Sequence, residues 1–233
     1  MNGEAPRIDR PRSAVTRAIL RAFREVRRSS TAGLHWRRQG EFITFRWHGF
    51  VRAPDVPMLF ARHDREVALI RRVLAGRSFS RCLEFGCGFG RLSPTLAGLA
   101  ESHVGVDINA DALRAAQSAY PELSFALVDG ERLPFDERSF DLVVCWTVLQ
   151  HVPPARVANV LAEIRRVASR DGLLLLCEST RYAGQPSRHC WERSVGFYED
   201  AFDEWRLADC ETIAALESLP GMTAPTVMLF EPR

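Results

Sequence analysis

Three glycines at alternate positions, Gly86, Gly88 and Gly90, follow a short apolar run that ends at Phe85. An amphipathic pattern then begins at Leu92, so the segment predicts a strand, a tight turn and a helix. Glycine lets the backbone take conformations that are closed to other residues, and the missing side chain lets a ligand lie against the main chain. We therefore expect this turn to bind a ligand.

Two aspartates stand at the ends of the next two predicted strands. The run that ends at Asp107 predicts a short buried strand, and the run that ends at Asp129 predicts another. An acid about 20 residues after such glycines can accept hydrogen bonds from both hydroxyls of a ribose. The glycines and acids together favour a ligand that contains a nucleoside.

The spacing of the glycines separates two kinds of nucleotide-binding turn. A dinucleotide-binding turn requires Gly-x-Gly-x-x-Gly or Ala, but Arg91 occupies the third position here. The observed spacing is Glu84-x-Gly86-x-Gly88-x-Gly90, which resembles motif I of the class I S-adenosylmethionine-dependent methyltransferases.

Two further phrases carry the same resemblance. They are Asp-Gly-x-x-Leu-Pro-Phe at 129–135 and Phe-Asp-Leu-Val at 140–143. The resemblance covers residues 60–180 well and the C-terminal end moderately, and it does not cover the first fifty residues.

The resemblance implies a set of contacts to S-adenosylmethionine. Glu84 would hold the amino end of the cofactor, directly or through water, and the three glycines would hold its methionine part. Asp107 would bind the ribose and Asp129 the adenine amino group. Further cofactor contacts are expected at Cys87, Ile108, Gly130 and Cys145.

His151 is the candidate for a general base. Methyl transfer from a sulfonium is an in-line displacement, so positioning and exclusion of water supply much of the catalysis. A base is needed only when the nucleophile arrives protonated, and a histidine that titrates near neutral pH suits that role. In the resembling family a histidine at this place often has a structural or cofactor-adjacent role, so both interpretations stay open.

The methyl acceptor is expected to be a small molecule. The chain lacks the Asn/Asp-Pro-Pro-aromatic turn of nucleic-acid amino-methyltransferases, and Cys145-Trp146 stands where metal-dependent enzymes place acids, so no metal is predicted. Aromatic residues and arginine after the fifth core strand would suit a planar or anionic molecule, or would fill the gap beneath a helix. The candidate substrate contacts are Trp36, Trp146, His189, Arg193 and Tyr198.

The elements that position these residues alternate between strand and helix. Near-continuous apolar strands such as Leu173 to Leu176 favour a parallel sheet that is covered on both faces. We predict an α/β fold: a doubly wound, mostly parallel seven-stranded sheet of Rossmann-like methyltransferase type, with helices on both faces and the last strand antiparallel. The predicted boundaries include strands at 81–85, 103–107, 140–146 and 172–178.

The N-terminal part of the chain is a separate basic segment. Residues 1–52 carry 12 arginines and four acidic residues. An apolar stripe from Val15 to Val26 predicts a helix, and a hairpin is expected around Gln39-Gly40. We expect residues 1–56 to form an extension and 57–233 the cofactor-binding domain. The helix could cover its own domain as a lid, lie on a membrane surface or bind nucleic acid.

Composition limits the remaining classes of protein to which the chain could belong. No stretch approaches the ~20 apolar residues of a membrane helix, and no signal peptide is evident, so a cytoplasmic protein without a membrane span is expected. The six cysteines form no Cys-x-x-Cys pair and indicate core residues in a reducing compartment. Nucleic acid is not expected as a partner, and monomer and homodimer stay open. The alternatives are an RNA or protein methyltransferase that uses the basic front and a non-catalytic cofactor-binding module.

Overall fold

The computed structural model describes residues 35–39, 42–46, 56–180, 190–213 and 225–233. Strands β1 (His35–Gln39) and β2 (Phe42–Arg46) pair antiparallel, as the predicted hairpin requires. The helix predicted from Val15 to Val26 lies outside the described residues.

The main body alternates strands and helices in chain order. The first half consists of α1 (Val56–Val73), β3 (Phe79–Phe85), α2 (Ser93–Ala97), β4 (Ala100–Asp107), α3 (Ala110–Ala119) and β5 (Ser124–Leu127). The second half consists of β6 (Phe140–Trp146), a 3₁₀ turn (Leu149–His151), α4 (Pro154–Val167), β7 (Ala168–Glu178), α5 (Val195–Ala201), β8 (Trp205–Thr212) and β9 (Thr226–Pro232).

Seven of these strands form one sheet in the order β5-β4-β3-β6-β7-β9-β8. The pairs from β5 to β7 are parallel, whereas β9 runs antiparallel to both β7 and β8. This confirms the predicted sheet and its antiparallel last strand, which lies between β7 and β8.

Strand β7 begins four residues before its predicted start at 172. Asp171 and Gly172 lie inside the strand, because Ala168 pairs with Phe140, and the register then shifts before Leu142. Gly172 lies so close to the backbone of Asp141 that an added Cβ would stand 3.0 Å from it. The glycine therefore marks a close approach of two strands inside the sheet.

Helices cover both faces of the sheet. On one face Leu83, Val143 and Leu174 pack in a core with residues of α4 and α5. On the other face alternate residues such as Cys82 and Leu142 pack with residues of α1 and α2. This two-sided burial explains why the central strands are apolar at successive positions.

The parallel strands β4, β3, β6 and β7 bring their carboxyl ends to one edge of the sheet, where ligands lie in open α/β sheets. Glu84, Asp107, Trp146 and Glu178 all stand at or near these ends. None of the helices that the structure describes is long and apolar enough to span a membrane.

Candidate active site

The glycine turn has the backbone conformation that its sequence predicts. Gly86, Gly88 and Gly90 have φ angles of 76°, 56° and 78°, in the left-handed region that favours glycine. The N–H groups of Gly86 and Cys87 donate to the carbonyl of Val106 at 2.8 and 2.9 Å. The turn is thereby fastened to the end of β4.

The three glycines face different surroundings. An added Cβ at Gly86 would overlap the side chain of Val148, and one at Gly90 would stand 3.2 Å from Ala116 and Phe125. A Cβ at Gly88 would meet no atom within 4 Å. Gly88 therefore leaves open space against the main chain where a ligand can lie, while Gly90 allows close packing, and its predicted cofactor contact stays a prediction.

Asp107 joins the glycine turn to the start of α3. Its Oδ2 accepts the N–H of Gly88 at 2.8 Å, and its Oδ1 accepts the N–H of Asn109 at 2.8 Å. Burial raises the pKa of Asp107, while these backbone hydrogen bonds act in the opposite direction. Each carboxylate oxygen has more than one acceptor position, so the group can also receive ribose hydroxyls.

Asp129 lies beside Asp107 at the same edge of the sheet. The N–H of Val128 donates to the carbonyl of Asp107 at 3.1 Å, which brings the two chain segments together. Asp129 is exposed, and its Oδ1 accepts the N–H groups of Glu131 and Arg132 at 2.9 and 2.8 Å. The other oxygen can accept from an amino group.

Glu84 is buried on the face of the sheet that α2 covers. Its Oε2 accepts the hydroxyl of Ser93 at 2.5 Å and lies 3.2 Å from Nε2 of His103. Glu84 is 4% exposed. Contact between Glu84 and a cofactor therefore stays a prediction that depends on its remaining oxygen.

The remaining predicted cofactor contacts are less uniform in their surroundings. Cys87 and Cys145 are buried, and burial raises the pKa of both thiols well above its ordinary value. Ile108 is half-buried and packs against the core, and Gly130 has a φ of 90°. The two thiols therefore behave as buried apolar groups and not as nucleophiles.

The segment after β6 forms a tight turn around one buried carboxylate. Glu178, at the end of β7, accepts the N–H groups of Val148, Leu149 and Gln150 at 3.0, 2.9 and 2.9 Å. Thr147 precedes them with a φ of 59°. Burial raises the pKa of Glu178 to about 7, although the three backbone hydrogen bonds lower it.

His151 ends this turn and is half-buried. Its Nε2 lies 3.2 Å from Nε2 of Gln150, and Oε1 of Gln150 accepts the N–H of Ser179 at 2.7 Å. Because the amide oxygen faces an N–H donor, the amide nitrogen faces His151. The network therefore assigns Nε2 of a neutral His151 as an acceptor.

Of three candidate substrate residues, two have hydrogen-bond partners inside the protein and the third is buried. The indole of Trp146 is buried and donates to Glu66 at 3.1 Å. The guanidinium of Arg193 donates to the carbonyls of Leu149 and Val152 at 2.7 and 2.6 Å. Tyr198 is fully buried.

The roles of the acceptor-side residues stay predictions. Trp36 lies in β1, where its backbone pairs with that of Phe45, and its side chain lies outside the described part. His189 also lies outside the described residues.

Sequence reasoning missed Glu178, Gln150, Ser93 and His103. Glu178 had a signal, since it is an acid at the end of an apolar strand like Asp107. Gln150 had none, because its role depends on how a turn places its amide. Among the described residues no group of three or more His, Cys, Asp or Glu side chains is placed to hold a metal ion.

Comparisons with known proteins identify methyltransferases as relatives of this chain. The family described as Methyltransferase domain matches residues 83–176. An uncharacterized methyltransferase of Synechocystis sp. is 30% identical over 153 residues, which cover 64% of this chain and 70% of that protein. A ubiquinone biosynthesis O-methyltransferase of Glaesserella parasuis is 30% identical over 112 residues, which cover 44% of this chain and 47% of that protein.

A solved structure shares the fold. The PH0226 protein of Pyrococcus horikoshii superposes with a TM-score of 0.61 at 19% identity, over 75% of this chain and 91% of that one. The chain spans about half the length of most of the curated relatives it matches.

Replacing Asp107 tests the ribose contact. Asp107→Ala should weaken S-adenosylmethionine binding by about 1.5–3 kcal/mol, which is roughly ten- to more than hundredfold, because ribose hydroxyls and the Gly88 N–H lose their acceptor. Isothermal calorimetry measures the affinity. Asp209→Ala, at an exposed acid of the edge strand β8, is the control and should bind like the wild type. Wild-type affinity in Asp107→Ala would refute the assignment.

Replacing Gly88 tests the open space in the turn. Gly88→Val should abolish detectable cofactor binding, since the side chain fills the space and strains a left-handed backbone. Gly76→Val is the matched control, because Gly76 also has a positive φ, 74°, with no atom within 4 Å of an added Cβ. Calorimetry and circular dichroism on both variants separate loss of binding from loss of fold. Tight binding by a folded Gly88→Val protein would contradict the prediction.

Proposed function

We propose, on the premise that this chain belongs to the class I S-adenosylmethionine-dependent methyltransferases, that it methylates an oxygen or nitrogen of a small molecule. The observation that carries the proposal is the contact between two loops at one sheet edge. The glycine turn with Asp107 and Asp129 offers the groups that a nucleoside requires, and Val148 of the His151 turn packs against Gly86. The loop proposed to bind the methyl donor and the loop proposed to face the methyl acceptor are therefore adjacent.

The residues present fit the cofactor. Gly88 leaves space against its backbone, Asp107 offers paired oxygens to a ribose, and Asp129 offers an oxygen to an amino group. When bound, S-adenosylmethionine supplies a methyl group made electrophilic by a positively charged sulfur. The chain's own contribution is to hold both partners in line and to keep water out.

His151 lies on the acceptor side in this proposal. A hydroxyl or ammonium acceptor must lose a proton, and Nε2 of neutral His151 can take it if the Gln150 amide yields that lone pair. An acceptor that arrives without such a proton needs no base, and His151 then only shapes the pocket. The two cases differ in the pH dependence of turnover.

A small-molecule acceptor is supported by the name of one relative and by the sequence. One relative is named for O-methylation in ubiquinone biosynthesis. The segment after β6, Cys145-Trp146-Thr147-Val148, lacks the turn that nucleic-acid amino-methyltransferases use.

A metabolite screen tests the proposal. Purified protein is incubated with S-adenosylmethionine and pools of phenols, amines and carboxylic acids, and formation of S-adenosylhomocysteine is followed by mass spectrometry. Turnover that depends on one pool supports the proposal. Cofactor binding without turnover in any pool would favour a binding module, and salt-dependent RNA binding with methylation of RNA would favour a nucleic-acid enzyme.

His151→Ala tests the base. With an acceptor that arrives protonated, the variant should slow turnover by about 10²–10⁴-fold, because proton removal loses its catalyst. The wild-type rate should fall toward acid pH, where a protonated histidine cannot act as a base, and the variant should lose this limb. Steady-state rates across pH measure both effects, with cofactor affinity as the control. Unchanged turnover with altered thermal stability would assign His151 a structural role.

Deleting residues 1–52 tests a lid. We propose that residues 13–52 cover the acceptor pocket, with Trp36, Phe45 and Trp47 as contacts, and the approach of β2 to the 3₁₀ turn within 8 Å between Cα atoms supports this. The truncated protein should keep its cofactor affinity and lose most of its turnover. Calorimetry and the rate assay on one preparation make the comparison. A full rate after truncation would favour a surface-binding or partner-binding segment instead.

A further inference from the structure

The turn after β6 is held in an unfavourable conformation. Thr147 has a φ of 59°, which is costly for a β-branched residue. Its N–H donates to the carbonyl of Cys177 at 2.7 Å. A strained residue of this kind persists only where its surroundings over-determine the backbone.

Two charged side chains supply that constraint from opposite directions. Glu178 accepts three successive N–H groups, from Val148 to Gln150. Arg193 donates to the carbonyls of Leu149 and Val152. A carboxylate and a guanidinium thus take the donors and the acceptors of the same short turn.

We propose that Glu178 is a positioning residue for methyl transfer, which fixes the turn that presents Gln150 and His151 to the acceptor. This inference rests on the proposed function, because the turn matters for catalysis only if an acceptor binds there. The bonds of Glu178 use both carboxylate oxygens. An ionised carboxylate accepts on both without offering a proton, whereas a glutamine or a protonated glutamate presents a donor on one side.

Ionisation of Glu178 therefore controls the order of the turn. The titratable and charged groups around it are Cys145 on β6, Cys190 and Arg193 before α5, and Tyr198 on α5. Burial raises the pKa of both thiols and of the phenol, so all three stay neutral near pH 7. His151, at the end of the turn, is the other side chain there whose ordinary titration range includes neutral pH.

Glu178→Gln in the full chain tests the proposal. The matched control is Asp141→Asn, because Asp141 also accepts two backbone N–H groups, those of Ser80 and Arg81 at 2.7 and 2.8 Å, near the opposite edge of the sheet. Amide hydrogen exchange, measured by NMR, reports the protection of Val148, Leu149 and Gln150. Calorimetry with S-adenosylhomocysteine reports the cofactor side.

Glu178→Gln should lower protection of these three amides at least about tenfold and slow turnover of an acceptor found in the screen by about 10- to 100-fold. Affinity for S-adenosylhomocysteine should change less than about threefold, and Asp141→Asn should leave the three amides and the rate unaltered. Unchanged protection, or unchanged turnover in a folded Glu178→Gln protein, overturns the proposal while methyl transfer itself stands.

The wild-type protein provides a second measurement if Glu178→Gln fails to fold. Protection factors of the three amides should fall between pH 8 and pH 6 relative to those of Ser80 and Arg81, and His151→Ala should show the same fall. A flat profile overturns the proposal. A fall that disappears in His151→Ala also overturns it, since His151 would then be the group that titrates. If the screen finds no acceptor, the proposed function fails, and these exchange data alone then decide whether Glu178 orders the turn.

Discussion

Buried or half-buried carboxylates that accept backbone N–H groups organise the functional edge of this sheet. A carboxylate in such a place must be compensated, and here most of the compensation comes from loop amides. Asp107 accepts one amide from the glycine turn, that of Gly88, and one from the start of α3, that of Asn109, and Glu178 accepts three from one turn. The loops therefore depend on the strand ends for their shape, and the parallel sheet determines where those strand ends meet.

The two loops are also in direct contact with each other. The side chain of Val148 occupies the space that a Cβ at Gly86 would need, so the glycine at this position serves the neighbouring loop. The N–H of Val148 in turn donates to Glu178. A chain of contacts thus runs from the glycine turn through Val148 to Glu178 and the turn after β6. A displacement of one loop would therefore move the other, because closely packed side chains leave no empty space between them.

Sequence reasoning correctly predicted the elements that depend on neighbouring residues. The glycines have positive φ angles, and the paired strands follow the apolar runs, because backbone freedom and periodicity are properties of neighbouring residues. It failed where tertiary contacts decide: strand β7 was predicted to begin at 172, but pairing with β6 extends it back to Ala168. The contacts of one Glu84 oxygen with Ser93 and His103, 9 and 19 residues away, were not predicted. No periodicity in the sequence encodes that meeting.

Glu178 makes the fold less stable in its ionised form. Because burial raises its pKa from 4.5 to about 7, the folded state holds a proton between these values that the unfolded chain has lost. The contribution of Glu178 to the free energy of unfolding is therefore fully present below about pH 4.5 and is lost as the pH rises to about 7. The loss is about 1.4 kcal/mol per pH unit, and so about 3 kcal/mol in all. A neutral residue would avoid this loss. An ionised carboxylate at this position is therefore better explained by the three amides it orders than by the stability of the sheet.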